Sequence, residues 1–130
     1  GKYDEFKKEF LNRQEEFSNL VFEQLCHEFL RKSFEEDKID QIGSYWDDDL
    51  TVDIVAKTVN GKIIAGSCKY SNSKVKKSEL TRLKESCKKL SINADTYVLF
   101  SKKGFTSELK SLKSDSVKLY TVRNLKILID

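Results

Sequence analysis

The sequence predicts an α/β fold in which a mixed central β-sheet is flanked by helices. Residues 15–34 carry apolar side chains at helical spacing, which indicates a long helix. Two apolar runs, residues 50–58 and 62–70, meet at Asn60-Gly61, a dipeptide typical of a hairpin turn. Later segments alternate between helical and strand patterns. That alternation is typical of a parallel or mixed sheet covered by helices.

The segment before the hairpin is predicted to hold two helices, a strand and a turn. Residues 3–12 are predicted to form a short charged helix ahead of the long one. Apolar residues occupy most of the circumference of the long helix, so we expect protein to cover it on more than one side. Residues 42–46 are a strand candidate, and the acidic residues 47–49 are predicted to form a polar turn.

The segment after the hairpin is predicted to alternate helix and strand. Thr106 or Ser107 can cap the helix predicted at 105–112, because a side-chain hydroxyl accepts a hydrogen bond from a free backbone N–H in the first turn. In chain order the predicted elements are a helix at 78–90, a strand at 96–101, a helix at 105–112, a strand at 117–120 and a helix at 122–129.

Length and composition indicate one globular domain. A chain of 130 residues suits a single domain, and 38% hydrophobic with 35% charged residues is typical of a folded chain. No apolar run approaches the roughly 20 residues that span a bilayer. The N-terminal residues lack the apolar core of a signal peptide. We therefore expect no membrane partner.

Cysteine usage and charge narrow the compartment and the partners. The three cysteines, Cys26, Cys68 and Cys87, have no short spacing, which argues against a disulfide framework or a zinc site. A reducing compartment follows, and we expect the cytoplasm. The net charge of +3 permits contact with nucleic acid without demanding it. The many carboxylates are compatible with oxygen-ligated Mg²⁺.

Two turn lengths are open to the hairpin, and they give different registers. A two-residue turn would pair Val59 with Lys62 and mix polar residues into the apolar face. A three-residue loop with Gly61 in the left-handed conformation pairs Thr58 with Lys62 instead. We prefer the three-residue loop because it separates apolar from polar residues, as a half-buried hairpin requires.

In the preferred register an acid and a lysine lie side by side on neighbouring strands. Asp53 lies opposite Ser67, and Lys69 is the diagonal neighbour of Asp53. The predicted apolar face carries Val52, Ile54, Ala56, Ile64, Cys68 and Tyr70, and the polar face carries Asp53, Lys57, Ser67 and Lys69.

The Asp53 and Lys69 pair has a catalytic and a structural interpretation. In the catalytic one, Asp53 ligates Mg²⁺, and Lys69 holds a water or offsets charge as a phosphodiester is attacked. In the structural one, the pair is a cross-strand salt bridge on a solvated face, worth under about 1 kcal/mol. Spacing alone favours the structural interpretation.

Several short pieces of the chain resemble a known pattern by their order and spacing. The pieces are Phe22-Glu23, Ile42-Gly43-Ser44-Tyr45-Trp46, Val52-Asp53-Ile54-Val55-Ala56, Gly66-Ser67-Cys68-Lys69-Tyr70 and Phe100-Ser101-Lys102-Lys103-Gly104-Phe105. Residues 42–70 resemble the core of the PD-(D/E)XK nuclease superfamily, which has an acid on one strand and Glu-x-Lys or Gln-x-Lys on the next. More closely, the chain resembles the nuclease-like C-terminal domain of a family of archaeal and bacterial P-loop ATPases.

The resemblance implies a restriction-endonuclease-like fold and a metal-dependent nuclease site. Asp53 matches the first catalytic acid, Lys69 the catalytic lysine, and Glu23 the helix glutamate that joins Asp53 as a ligand of Mg²⁺ or Mn²⁺. Ser67 departs from the pattern, because it stands where the family has glutamate. A hydroxyl is a poor Mg²⁺ ligand beside a carboxylate, so the departure puts activity in doubt. The resemblance also implies that residues 1–130 form one domain at the C-terminus of a larger ATPase.

Two other acidic features can be explained either by a metal site or by ordinary structure. On the helix surface Glu23 is flanked by apolar residues and needs a partner, which the residues alone identify equally well as a metal site or as His27 one turn later. Residues 47–49 are three consecutive aspartates that project in different directions, so a solvated turn is a better interpretation than a metal cluster.

Lysines after two of the strands are candidates for contact with nucleic acid. They could line a phosphate-binding rim, although a run of charge is more often a solvated face. Tyr45 and Trp46 could stack on bases, but we expect them to pack into the core at a strand edge. The candidate contact residues are Lys74, Lys76, Lys77, Lys102 and Lys103.

Two function classes follow from these observations. The first is an Mg²⁺-dependent nuclease that uses Glu23, Asp53 and Lys69. The second is a catalytically inactive module that binds nucleic acid or an ATPase domain, and Ser67 motivates it. A homodimer is a further interpretation, since a strand edge and a basic helix are available.

Overall fold

The structure is a computed structural model that describes residues 4, 5, 7, 8, 19–47 and 49–129, with the backbone alone at residue 129. Residues 4, 5, 7 and 8 are helical. The remainder of the predicted helix at 3–12, and residues 15–18 of the predicted long helix, lie outside the described residues.

The described elements follow the predicted order. They are α1 (Asn19–Ser33), β1 (Ile39–Asp47), β2 (Leu50–Thr58), β3 (Ile63–Lys69), α2 (Lys77–Lys89), β4 (Thr96–Ser101), α3 (Ser107–Lys110), β5 (Val117–Thr121), α4 (Val122–Leu125) and a 3₁₀-helix (Lys126–Ile129). No helix among the described residues is long and apolar enough to cross a membrane.

Three local predictions need correction. The helix predicted at 105–112 is shorter and begins at Ser107, where the Thr106 side chain accepts a hydrogen bond from the Leu109 N–H, the cap that the sequence predicted. The closing helix tightens to 3₁₀ after Leu125. Asp47 belongs to β1 rather than to the acidic turn, because it still pairs with β2. Residue 48 lies outside the described residues.

The five strands form one mixed sheet in the order β1-β2-β3-β4-β5, which confirms the predicted architecture. Strand β2 is antiparallel to β1 and β3, whereas β4 and β5 run parallel to β3. The last residues of β1, β3, β4 and β5 therefore meet the first residues of β2 at one edge. We call this edge the carboxyl end of the sheet, and the opposite edge the amino end.

The hairpin between β2 and β3 has the predicted three-residue loop. The Thr58 N–H donates to the Lys62 carbonyl at 2.9 Å, and the Gly61 N–H donates back to the Thr58 carbonyl at 3.0 Å. Gly61 has a φ of +84°, a conformation that glycine adopts at little steric cost. This turn sets the register in which Ala56 pairs with Ile64.

Strands β2 and β3 separate before they end, and we call this place the fork. Their pairing stops at Ile54 and Gly66, yet β2 continues beside β1 and β3 continues beside β4. A bulge in β2 coincides with the fork, since Ser44 of β1 lies against two residues of β2 between consecutive pairs. The sheet is thereby opened at its carboxyl end.

The bulge corrects one predicted face. Ile54 packs in the apolar cluster beneath α1, as predicted, but Val52 packs in the cluster beneath α2. In an unbroken strand, residues two apart share a face, and the extra residue of a bulge breaks that rule. The prediction that Val52 shares the Ile54 face is therefore wrong.

Helices cover both faces of the sheet. On one face α1 buries Phe22, Leu25 and Leu30 against the sheet, although Leu20 near its first turn stays exposed. On the other face α2 buries residues that include Leu83. Because β3 lies between these two cores, its side chains alternate between them, and four of its seven residues are buried.

Strand β3 has no room for a side chain at Gly66. A Cβ atom there would lie 2.5 Å from Val98 Cγ2 and 2.9 Å from the Val98 carbonyl oxygen. At Gly43, a Cβ atom would meet nothing within 4 Å. The two glycines therefore form a matched pair for substitution.

We predict that Gly66→Ala destabilises the fold by about 1–3 kcal/mol, because the new methyl group overpacks the centre of the sheet. Gly43→Ala should leave stability unchanged or raise it slightly. Urea unfolding followed by circular dichroism measures both. Equal free energies of unfolding for Gly66→Ala and the unsubstituted chain would contradict the packing described above.

Candidate active site at the fork between two strands

Asp53 bridges the fork with its carboxylate. Asp53 Oδ2 accepts a hydrogen bond from the Cys68 backbone N–H at 2.8 Å. Thr58 and Lys62 form a hydrogen-bonded pair, and such pairs recur at every second residue of an antiparallel ladder. An unbroken ladder would therefore join Cys68 to Val52. The carboxylate replaces that backbone partner just where the strands diverge.

The bulge also frees the backbone carbonyl of Asp53, and two side chains satisfy it. His27 Nε2 of α1 donates to this oxygen at 3.2 Å, and the Ser44 hydroxyl lies 2.9 Å from it. The Ser44 hydroxyl is also within hydrogen-bonding distance of Glu23 Oε1. Glu23 thus reaches the backbone of Asp53 through Ser44, and its carboxylate lies 3.8 Å from His27 Nε2.

Ser67 and Lys69 face a glutamate that the sequence interpretation missed. The Ser67 hydroxyl is fully buried and donates to Glu79 Oε2 of α2 at 2.6 Å. Lys69 Nζ lies 3.8 Å from Glu79 Oε1, and its side chain is 42% exposed. Glu79 therefore places a carboxylate beside Ser67, the position where the expected pattern has an acid.

Arg82 holds Glu79 through several charge-assisted hydrogen bonds. Arg82 Nη2 donates to Glu79 Oε2 at 2.6 Å, and Arg82 Nε lies 3.1 Å from both carboxylate oxygens. Burial acts to raise the pKa of Glu79, but hydrogen bonds from Arg82 and Ser67 and the charge of Lys69 outweigh it. The pKa of Glu79 is therefore lowered from its usual value.

The site residues predicted from sequence lie on different sides of the sheet. Glu23 lies on the α1 side, whereas Ser67 and Lys69 lie on the α2 side with Glu79. Within the described residues, the ion pair of Lys69 is with Glu79 and not with Asp53. The Asp53 carboxylate lies between the two sides because it bonds to a backbone group at the fork.

Two free thiols lie close to each other, Cys26 on α1 and Cys68 near the end of β3. Cys26 is buried, and Cys68 is partly exposed. Burial raises the pKa of Cys26 well above its usual value, and contact with Cys68 and the charges of Glu23 and Asp53 raise it further. Both thiols therefore stay neutral and serve as packing groups.

The candidate lysines line two adjacent loops at the carboxyl end. A bridge between Val75 and Phe105 joins the loop after β3 to the loop after β4. The Lys102 N–H donates to the Lys69 carbonyl at 3.1 Å, which continues the sheet edge from one loop to the other. Lys74, Lys76 and Lys103 are exposed there, and Lys77 lies 3.7 Å from Glu108.

Two shallow cavities open along this edge. One, of about 210 Å³, lies at Lys69, Lys74 and Lys76 beside Glu79. The other, of about 400 Å³, is lined by Lys102, Lys103, Gly104, Thr121, Val122 and Arg123. Arg123 was not among the predicted contact residues, because its distance in sequence from the lysines hides the pairing of β4 with β5.

The amino end of the sheet has the opposite charge. Its cavity of about 580 Å³ has three aspartates in its lining, with Lys62 as the cation among the lining residues. Two of these aspartates are already engaged, since Asp95 accepts from the Ile63 N–H and Asp37 from the Asn60 N–H. The two ends therefore differ in the ligand charge that they attract.

A divalent metal would find a partial donor set at the fork. Among the described residues, no three acidic, histidine or cysteine side chains come together as a metal site. Asp53 and Glu79 offer two carboxylates around the end of β3, and backbone carbonyls are common further ligands of Mg²⁺ and Mn²⁺. An ion shared by the two carboxylates would need an oxygen of Glu79 that Arg82 now holds.

Glu79 could have been found from the sequence by one signal. It stands in the first turn of the helix that follows β3, ten positions after Lys69, where the chain returns past the strand end. Residue patterns alone favour position 67 on the strand as the place of the acid, because spacing within a hairpin is easier to read from sequence than the approach of a helix. The bulge at Asp53 leaves no comparable signal.

We predict that Glu79 makes folding stability depend on pH. Its folded-state pKa lies below the usual value, so its contribution is complete above about pH 4.5 and is lost as pH falls through the folded-state pKa. Glu79→Gln should cost about 1 kcal/mol at pH 7 and progressively less in that acidic window.

Urea unfolding at pH 7 and at several values below 4.5 measures this difference. Glu85→Gln is the matched control, because Glu85 lies on the same helix and is exposed. A deficit for Glu79→Gln that stays constant across the acidic range would contradict the assignment of the carboxylate to Arg82, Ser67 and Lys69.

Comparison with known proteins agrees with the fold. The DNA modification-dependent restriction endonuclease AspBHI superposes with a TM-score of 0.64 and 15% identity, over 96% of this chain and 34% of that one. A repair endonuclease from Pyrococcus abyssi superposes with a TM-score of 0.53 and 18% identity, over 81% of this chain and 46% of that one. The chain thus spans less than half the length of either structure. At such identities the likeness shows the fold alone, and it confirms the predicted restriction-endonuclease-like class.

Comparison with family models identifies the family to which the chain belongs. No curated protein matches the chain. A family model described as archaeal and bacterial proteins of unknown function, DUF234, matches residues 1–97. That match covers most of the chain, from the N-terminal residues through the start of β4. The chain therefore belongs to the DUF234 family and has a nuclease-like α/β fold.

Proposed function

We propose that this domain binds nucleic acid at the carboxyl end of its sheet and hydrolyses phosphodiester bonds there with a divalent metal. The fold that it shares with two endonucleases supports the class of reaction. The observation that carries the proposal is the contact of Glu79 with Ser67 and Lys69, at 2.6 and 3.8 Å. It provides a carboxylate where the strand itself has a hydroxyl.

Each residue has a role in this proposal. Asp53 and Glu79 hold the metal, which when bound polarises the phosphate and lowers the pKa of a ligated water. Lys69 orients the attacking water or offsets the negative charge that develops on the phosphate. Its partial exposure lets it reach substrate while Glu79 restrains it. Glu23 remains the predicted alternative ligand on the α1 side, and through Ser44 it positions the backbone of Asp53.

The cationic edge supplies the path for the nucleic acid. Lys74 and Lys76 flank the fork, and Lys102 and Lys103 follow on the next loop. Arg123 extends the same edge past β5. Phosphates attract such side chains through release of counterions, and the contact fixes the strand without reading its bases. Lys77 is also exposed, but its ammonium lies 3.7 Å from Glu108.

The alternative function is a binding module without catalysis. The observation that favours it is the set of hydrogen bonds from Arg82, which occupies both oxygens of Glu79 and offsets the negative charge of that carboxylate. If Arg82 does not release Glu79, Asp53 is left as the one charged ligand at the fork. The domain would then bind nucleic acid, or a P-loop ATPase domain, through the same edge.

The proposal also includes the partners, the compartment and the alternative metal that the sequence predicted. The resemblance to ATPase-associated domains supports a P-loop ATPase domain as partner in the cytoplasm. The edge strands β1 and β5 are free on one side within the described sheet, which is compatible with a homodimer. Mn²⁺ can replace Mg²⁺ at an oxygen-rich site.

We predict that the domain nicks supercoiled plasmid with Mg²⁺ or Mn²⁺. Asp53→Asn should lower the nicking rate about 100-fold or more, because it removes a charged group that acts in the transition state. Glu79→Gln should behave like Asp53→Asn, whereas Glu23→Gln should retain more activity. Glu85→Gln and Asp115→Asn, both on exposed residues away from the fork, are the controls.

A double variant that moves the carboxylate from α2 to β3 distinguishes nuclease activity from binding without catalysis. Ser67→Glu alone would place a second carboxylate against Glu79, so it should be combined with Glu79→Ser, which returns the acid from the helix to the strand. Nicking by this double variant supports the catalytic function. If the unsubstituted chain and the double variant bind plasmid but never nick it with either metal, the proposal of catalysis fails and the binding module stands.

A further inference from the structure

The β1–β2 hairpin extends past the fork as a two-stranded arm, which we define as the described residues 44–47 and 49–53. Its strands pair Tyr45 with Val52, Trp46 with Thr51 and Asp47 with Leu50. Beyond the fork β2 has no ladder pairing with β3, so the backbone ladder of these residues is formed with β1. The arm begins where Asp53 bridges the two strands.

The arm is fixed in place at its base. Val52 is fully buried in the core beneath α2. Arg82 Nη1 donates to the Thr51 carbonyl at 3.2 Å, so the residue that holds Glu79 also holds the arm. An arm anchored in this way presents its side chains in a fixed position relative to the fork.

The arm presents its aromatic side chains to solvent. The Trp46 side chain is 72% exposed, and Tyr45 is 45% exposed. Core packing of both residues, which the strand pattern favoured, is therefore wrong. Among the described residues Trp46 takes part in none of the ring pairs, which join Phe29, Phe100 and Tyr120 to one another and Phe22 to Tyr70. Trp46 therefore offers an open indole face to a ligand that approaches the arm.

The position of Trp46 identifies the ligand chemistry. Trp46 pairs with Thr51, which is two residues, or about 7 Å along an extended strand, from Asp53. A nucleic-acid strand whose phosphates lie along the lysine edge would bring a base to this position. The acidic residues Asp47 and Asp49 at the arm tip repel phosphate, so the uncharged face of a base is the part that the arm can accept.

We propose that Trp46 is a stacking surface for an unpaired base of the nucleic acid bound at the fork. The proposal rests on the proposed function, and it narrows the substrate class to single strands or to duplexes with unpaired bases. Aromatic side chains stack on any base because every base has a π face. In a continuous duplex the bases are already stacked on each other, so Trp46 would contribute little there.

The experiment uses the fact that the chain contains one tryptophan. Tryptophan fluorescence therefore reports on residue 46 alone. The chain is titrated without metal with a single-stranded oligodeoxynucleotide and with a blunt duplex of the same length. We expect quenching by the single strand and little change with the duplex.

Binding of a dye-labelled oligonucleotide, followed by anisotropy, measures the variants. Trp46→Ala should weaken single-strand binding about 5-fold to 100-fold. Trp46→Phe should keep most of the affinity, because a phenyl ring also stacks. Val59→Ala is the matched control, since Val59 is 63% exposed at the other end of the same sheet. Circular dichroism checks that each variant is folded.

Lysine variants separate this inference from the proposed function. Lys74→Ala and Lys103→Ala should weaken single strands and duplexes alike, with a smaller dependence on salt. If these variants weaken binding while Trp46→Ala binds normally, the stacking inference is overturned and the proposed function stands. If the unsubstituted chain binds neither nucleic acid, both fail. A fluorescence shift with protein concentration, together with a dimer in gel filtration, would assign the arm to self-association and overturn the inference.

Discussion

The hydrogen bond from the Cys68 N–H to the Asp53 carboxylate allows β2 and β3 to separate in the middle of a sheet. A shielded backbone donor that loses its ladder partner costs about 1–3 kcal/mol, and the Asp53 side chain removes that cost. Ser44 and His27 do the same for the Asp53 carbonyl that the bulge frees. The sheet can therefore open at its carboxyl end while the cores beneath α1 and α2 remain closed. One consequence is that the Asp53 carboxyl group is held at the opening and is only partly exposed to solvent.

The opening determines what reaches the candidate site. Beyond the fork, the Ser67 and Lys69 side chains of β3 face α2. Glu79, in the first turn of α2, contacts both of them. Arg82 then connects Glu79 to the arm by bonding to both the carboxylate and the Thr51 carbonyl. Charge follows the same geometry, because the cationic loops lie at the carboxyl end and the aspartate-lined cavity lies at the amino end. The site is thus a product of one interrupted ladder and of the helix that returns past it.

Sequence patterns predicted the parts of this fold that depend on local chemistry. The separation of apolar from polar residues on either side of Asn60-Gly61 predicted the register, and Gly61 has the positive φ that the three-residue loop requires. The alternation of strands and helices gave the mixed sheet. The bulge at Asp53 could not be predicted, since it arises from pairing with β1 and no residue type marks it. Glu79 was missed for a related reason, because its approach to Ser67 depends on where α2 packs. The exposure of Trp46 likewise depends on how far β2 extends beyond β3.

Mn²⁺-induced line broadening of backbone amide signals in NMR spectra tests the central assignment, that the fork is the metal-binding and reacting centre. Broadening falls off steeply with distance from the ion, so it locates the site without any assay of cleavage. At low Mn²⁺ the account predicts selective loss of the signals of Asp53, Lys69 and Glu79, and recovery of those signals in Asp53→Asn. Broadening centred instead on Asp37, Asp95 and Asp115 at the amino end, with the fork unaffected, would contradict it.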